Sequence, residues 1–428
     1  LPPERKAVIC NSEDNLNIRD HEGDITAMRR LIDKYIGKLE ARGLARREDS
    51  TLIALDADMF SNRPLEGRFS VLERVFGLMN ISSLLFARPA EPYWGVIREV
   101  LRHECGAAGP GCVAPLDCET RTFFHDIPVI DEFDPQAISR ALSSRRSVII
   151  RDLGVVASGP FTPEQAYVSF SSVCFSMYVK YFSDTLSRFE ACAAEGRPIA
   201  EEDRSAFMKI SRTALDAQPD SSEIALRQGP PRSEDEALEM LAEAGRAVVD
   251  RRLVDSYFGN ISYVFGEKIL ISRTGSSMDE LEGCVDILPL DGSSTAGITA
   301  SSEFSAHKGV FLRTGKRAIL HGHPKFSVIM SMRCDKKGCA RTDCHRACPE
   351  TRDIRGVPIV PGEIGVGPYG LVNTVPLAMS AGRGAIVYGH GVFTSGDDDF
   401  RGPFDMLAGI EERCRKAYFE AVSGLLIF

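Results

Sequence analysis

Five of the eight histidines lie in the second half of the chain, at His307, His321, His323, His345 and His390. His321 and His323 flank Gly322 at the end of the apolar run RAIL. On a strand, residues two apart share a face, so both imidazoles project to one side about 7 Å apart along the chain. His390 ends a second β-type run, AIVYG, between Gly389 and Gly391. Three neutral imidazoles leave a divalent cation its full charge, and an open fourth position makes this a catalytic arrangement for zinc. Taken alone, His-Gly-His also fits a strand end carrying two solvated histidines.

Three loops nearby have the composition of anion sites. GNIS (259–262) contributes Asn260, TGSS (274–277) contributes Thr274, Gly275 and Ser276, and TASSE (299–303) contributes Ser301 and Ser302. Glycine lets the backbone approach an oxyanion closely, hydroxyls and amides donate to it, and a helix start adds a favourable dipole. Each loop singly is also an ordinary turn or helix cap. Glu303 follows Ser302 directly; it is either the cap of the next helix or a general acid/base beside a bound cation.

A second cluster is made of thiols. Cys334, Cys339, Cys344 and Cys348 are separated by four, four and three residues, with His345 among them. This spacing matches no common zinc or ferredoxin pattern cleanly. A structural metal, an iron–sulfur cluster and redox-exchanging thiols all remain open. Cys105, Cys112 and Cys118 occupy the corresponding stretch of the first half as a remnant. Cys10, Cys174, Cys192, Cys284 and Cys414 read as buried small apolar residues or surface thiols. His307 reads as a helix-surface histidine, Tyr369 and Tyr388 as turn and strand tyrosines, and Asp397–Asp399 as a solvated helix start capped by Asp399.

The elements that must carry these residues occur twice. RFSVLERVFGLMNISSLLFARP (68–89) aligns without a gap on EFSAHKGVFLRTGKRAILHGHP (303–324), and SVIIRDLGVVASG (147–159) resembles AIVYGHGVFTSG (385–396). The alignment sets Arg68 opposite Glu303, Phe86 opposite His321, Arg88 opposite His323 and Leu153 opposite His390, so the first copy has the framework without the ligands. The expected organisation is an N-terminal arm (1–23), a first copy (24–195), a charged linker rich in Pro and Ser (196–233) with a short helix near 201–215, and a second copy (234–428).

Across 428 residues, 43% apolar and 26% charged content is ordinary globular composition, which excludes a disordered or fibrous chain. A net charge of −9 has the wrong sign for a nucleic-acid surface. No apolar stretch approaches the ~20 residues of a membrane helix and none at the start reads as a leader, so a cytoplasmic protein is expected, with no nucleic-acid or membrane partner.

GNIS, TGSS, SSE, HGH and GHG, in that order, make residues 234–428 resemble the class II aldolase/adducin head-domain family; residues 24–195 share only its fold landmarks. The resemblance implies an α/β fold of two tandem three-layer α/β/α domains, each with a mixed, mostly antiparallel sheet. It makes His321, His323 and His390 ligands of Zn2+, or of Mn2+, Fe2+ or Co2+. Asn260, Thr274, Gly275, Ser276, Ser301 and Ser302 become phosphate-binding positions, and Glu303 the catalytic acid/base. The implied activity is that of a metal-dependent aldolase-type lyase on a small phosphorylated sugar or hydroxy-carbonyl compound, through an enediolate-like intermediate. A dehydratase, epimerase or decarboxylase on the same site, or a non-catalytic adducin-like scaffold, are the alternatives. It also implies a homo-oligomer, with two tandem chains forming a pseudo-tetramer that has two sites. In the family's aldolase the region after His-Gly-His supplies a tyrosine as proton donor. This chain has no Tyr between His323 and Tyr369, and the cysteine loop stands there instead.

Overall fold

The computed structural model describes residues 18–104, 111–118, 120–217, 224–255, 257–294, 299–334, 336, 339, 341, 343–348, 350–362 and 367–426, with only the backbone for 18–26. Cys10, Cys105 and most of the expected N-terminal arm lie outside the described residues. The helix Ile18–Ala41 runs through the expected boundary at residue 23. The stretch between the two copies carries the helix Glu201–Asp216.

Two sheets form. The first contains β1 (Ala45–Leu55), β2 (Met59–Ser61), β3 (Ser83–Pro89), β4 (Gly111–Val113), β5 (Ile127–Ile130), β6 (Ser147–Ile150) and β7 (Gly154–Gly159). The second contains β8 (Asn260–Phe265), β9 (Lys268–Ser272), β10 (Val285–Pro289), β11 (Ala318–Gly322), β12 (Arg352–Ile354), β13 (Val357–Val360), β14 (Gly384–Val387) and β15 (Gly391–Gly396). The orders are β2-β1-β3-β7-β6-β5-β4 and β10-β9-β8-β11-β15-β14-β13-β12. Apart from the extra edge strand β10, they correspond strand for strand. The parallel pair falls at the same place, β5 with β6 and β13 with β14, and the other pairings are antiparallel.

Register makes the duplication residue-specific. Phe86 pairs with Val156 and Thr51, while His321 pairs with Phe393 and Asn260. Gly154 pairs with Ile150 as Gly391 pairs with Val387. The turn before each of these glycines holds a residue of positive φ at the same position, Asp152 (56°) and Gly389 (63°). A side chain at Gly389's conformation is strained, and Asp is among the few types that tolerate it.

The central strands β3 and β11 are buried almost throughout because helices cover both faces of each sheet. The outer faces hold separate apolar clusters, one under the helices Ser70–Phe76 and Pro135–Leu142, the other under Phe304–Thr314 and Leu371–Ala381. The inner faces share one continuous core. At its centre runs the helix Pro163–Ala194, started by a Thr162–Gln165 capping box with Pro163 in the first turn. Every residue from Ser169 to Phe182 is buried, which an amphipathic surface helix would not show. This helix packs on its own sheet on one side and on the second half's helices Lys325–Met332 and Arg401–Leu426 on the other. Phe182 lies 5.5 Å from the ring of Phe326 and 5.6 Å from that of Tyr418, whose hydroxyl donates to the Phe182 carbonyl at 2.9 Å. Each such aromatic pair contributes about 0.5–1.5 kcal/mol beyond area burial. Lys325 crosses the same contact, 3.4 Å from Asp255 and over the rings of Tyr93, Phe175 and Tyr178. Among the described residues no helix is long and apolar enough to cross a membrane.

Candidate metal centre

β11 delivers His321, the residue after its end delivers His323, and the β14–β15 turn delivers His390. All three are buried. Their ligand nitrogens lie within 4.8 Å of one another. His321 Nε2 is 3.0 Å from His323 Nε2 and 3.4 Å from Glu303 Oε2, and His390 Nε2 is 3.3 Å from Glu303 Oε1. Close approach depends on Gly391: a Cβ there would stand 2.8–2.9 Å from ring carbons of His323 and His321 and would strike the Gly322 carbonyl.

Protonation follows from the surroundings. The carbonyl of Val392 can only accept, so His321 donates to it from Nδ1 at 3.1 Å and presents a bare Nε2 to the centre. Burial pushes His321 down to about 3, against a modest upward pull from that hydrogen bond. Burial also pushes His390 down to about 4; Glu303 pulls it up and His321 pushes it further down. His323 falls well below the ordinary imidazole value through burial and its two imidazole neighbours. At neutral pH three uncharged rings therefore crowd their Nε2 atoms around the Glu303 carboxyl group. A cation resolves that crowding, and three imidazole nitrogens are a donor set that suits zinc.

Glu303 occupies the N-cap position of the helix Phe304–Thr314 but makes no side-chain cap hydrogen bond. Asn260 Nδ2 donates to its Oε2 at 2.8 Å, turning the carboxylate inward. Its side chain keeps 11% exposure, so the centre lies just beneath the surface. The anion loops meet at that opening. Thr274 N donates to the Thr299 carbonyl, its Oγ1 donates to the Ala300 carbonyl at 2.9 Å, and Ser301 Oγ accepts from Glu303 N at 3.3 Å. Thr274, Gly275 and Ser302 are exposed, Ser276 half-buried and Ser301 buried. Asn260 sits against Glu303 rather than beside those exposed loops.

The expectation for His307 is corrected. It is completely buried, with Nδ1 2.5 Å from Ser262 Oγ and its ring 5.6 Å from that of Phe393. Phe393 in turn stacks on His321 at 4.0 Å, so His307 props the ligand ring from behind. Its position four residues after Glu303 is the signal that places both on one helix face. Asp399 caps as expected, accepting from Arg401 N at 3.0 Å. Cys174 and Cys414 are buried, while Cys192 and Cys284 are half-buried.

Contacts from the first half also reach the centre. His323 stacks on Phe258 at 5.5 Å, and Phe175 of the central helix lies 6.4 Å from the same ring. Cys118 N donates to the Gly389 carbonyl at 2.7 Å, pinning the turn that carries His390. Lys38 and Arg42 bind Asp279, just beyond the TGSS loop, at 3.0 and 2.7 Å. Tyr257 donates to Glu164. A second acidic group, Glu99, His103 and Asp203, also has metal-like spacing, but the Arg102 guanidinium already binds both carboxylates.

Cys334, Cys339, Cys344 and Cys348 line one cavity of about 470 Å³. The loop that carries them is tied to the segment after β13, where Gly362 N donates to the His345 carbonyl at 2.7 Å, and the helix before it is tied to the His390 turn, where Gly389 N donates to Ser331 Oγ at 2.8 Å.

Residues 239–418 match the family described as the class II aldolase and adducin N-terminal domain. A comparison with curated proteins finds no match. Among solved structures, L-fuculose-1-phosphate aldolase from Thermus thermophilus is similar at 21% identity, covering 44% of this chain and 95% of that one, with a TM-score of 0.36. YgbL from Klebsiella pneumoniae is similar at 21% identity over 44% and 91%, with a TM-score of 0.35. A sugar-phosphate aldolase from Thermotoga maritima is similar at 18% identity over 44% and 96%, with a TM-score of 0.33.

Proposed function

Because residues 239–418 form a class II aldolase and adducin N-terminal domain, we propose that this half of the chain is a divalent-metal-dependent lyase of the aldolase type. Its substrate is a small phosphorylated sugar or hydroxy-carbonyl compound. The observation that carries the reading is the convergence of three neutral, buried imidazoles on one point beside the Glu303 carboxylate.

His321, His323 and His390 would hold the cation, Zn2+ or else Mn2+, Fe2+ or Co2+. When bound, it polarises a carbonyl or hydroxyl oxygen of the substrate. Glu303 moves the proton. Asn260 holds its Oε2, which fixes the carboxylate at the opening where a substrate enters. Thr274, Gly275, Ser276, Ser301 and Ser302 hold the phosphate at that opening. Gly275, at φ 73°, supplies a turn that a side chain would strain. Phe175 and Phe258 close the inner side and exclude water.

A dehydratase, epimerase or decarboxylase is the second reading. It is favoured by the absence of any tyrosine between His323 and Tyr369 to act as the acid of an aldol cleavage. Tyr388 does not supply one, since its ring packs under the Arg352 guanidinium on the cysteine side. A scaffold has no use for a carboxylate and three lone pairs aimed at one another. A cytoplasmic homo-oligomer of two tandem chains with two sites belongs to the same proposal. The test is elemental analysis of the full chain, followed by a panel of phosphorylated sugars with product identification. One divalent metal per chain that is lost in His321→Ala, besides any metal held by the cysteine loop, and turnover of a panel member is the expected result. A metal-free protein that turns over nothing overturns the reading.

A further inference from the structure

The four thiols at Cys334, Cys339, Cys344 and Cys348 come from a single loop, form no disulfide, and face one cavity beside β12 and β13. From this geometry we infer that the loop is the seat of a [4Fe–4S] cluster held by these four thiolates, separate from the histidine centre. The inference does not rest on the reaction proposed above.

A single tetrahedral zinc with Zn–S bonds of about 2.3 Å draws its sulfurs to about 3.8 Å from one another. Among the described residues, the groups of three ligand atoms that lie within 4.8 Å of one another contain no cysteine. The four thiols thus line their cavity without the close grouping a single ion imposes, and a four-iron core takes its thiolates farther apart than one ion does. Spacings of four, four and three residues reproduce no common ferredoxin run as a whole, and Pro349 follows Cys348 as a proline follows the last cysteine of the bacterial run.

The lining suits an anionic cluster. Arg333, Lys336, Arg341 and Arg352 all border the cavity, and Met330, Ile354 and Ile359 supply an apolar floor. Arg333, Lys336 and Arg341 are paired with Glu190, Glu350 and Asp343. Arg352 instead donates to the backbone carbonyls of Ser331 and Arg333 and, among the described residues, meets no carboxylate within ion-pair distance. Its charge is left to oppose that of the cluster. Binding is a ligand exchange. Four thiols release four protons, and a preformed [4Fe–4S]2+ core passes from carrier thiols to the loop with no change of iron oxidation state. The bound unit then carries a net charge of 2−.

The experiment uses the full chain, isolated without oxygen and, in a second arm, reconstituted anaerobically with equal amounts of ferrous and ferric iron and with sulfide. The expected result is a brown protein with broad visible charge-transfer absorption and equal amounts of iron and acid-labile sulfide, four of each per chain. Cys344→Ser and Cys348→Ser should each lose at least half of the iron while keeping the wild-type circular dichroism spectrum. Arg352→Gln should keep the cluster and shift its reduction potential downward. His321→Ala should leave the sulfide content unchanged, which separates this inference from the histidine centre. Zinc bound to the loop without sulfide, four titratable free thiols after reconstitution, or a disulfide in the anaerobic protein would each overturn it.

Discussion

The two halves set the same strands in the same register, yet at three matching positions one carries Phe86, Arg88 and Leu153 and the other His321, His323 and His390. In the first half the place is filled for packing. Phe86 lies 5.3 Å from Phe133 and 6.2 Å from Phe69, and Arg88 donates to the carbonyls of Leu153 and Asp152 while lying over Trp94. In the second half the same place holds three buried imidazoles whose Nε2 atoms gather around the Glu303 carboxyl group. The framework therefore needs no ligands to form. The second half keeps a locally unfavourable arrangement that packing alone would remove, and such conflicts are expected at functional sites.

The widest contrast is chemical. His321→Ala should abolish metal retention and activity, read by elemental analysis and by assay. Phe86→Ala, the matching change in the first half, should leave metal content intact and cost about 3–5 kcal/mol in denaturant unfolding. Metal loss in both variants would erase the distinction. Next in size, Glu303→Gln should lower turnover by about 10²–10⁴-fold with the metal retained. Loss of metal there would make Glu303 a ligand rather than a proton carrier.

The comparison sharpens with pH. His321, His390 and His307 have native values of about 3 to 4, below the ordinary value near 6.5 that they regain on unfolding. The unfolded state thus binds more protons in that interval. Metal-free protein should lose stability as pH falls through about 6.5 and go on losing it down to about 3 to 4. His307→Phe should flatten part of this slope, whereas Phe86→Ala, which removes no titrating group, should not alter it. Thermal melts of chelated protein across this range provide the check. The smallest effect is expected at the tie between halves. Asp279→Ala removes the partner of Lys38 and Arg42 and should cost about 1–3 kcal/mol, with substrate KM affected more than kcat through the neighbouring TGSS loop.

The duplication is legible in the residues because the apolar framework survives in both copies and its pairing obeys a period of two. His-Gly-His is equally open to reading, since a strand fixes which way both rings face. The burial of His307, the grip of Asn260 on Glu303 and the approach of Phe175 to His323 are not legible. Each depends on segments 43 to 148 residues apart (Asn260 to Glu303; Phe175 to His323) meeting in space, and local periodicity carries no information about such meetings. Helical spacing sets His307 beside Phe304, Val310 and Phe311, but the two strands that cover this face with Ser262 and Phe393 belong to tertiary structure.

The helix Pro163–Ala194 is a wall common to both halves. A replacement at Phe175 or Phe182 is felt on two sides at once, so the half without ligands is held to its sequence by the half that has them. Removing the first half would leave its neighbour's interior open to water.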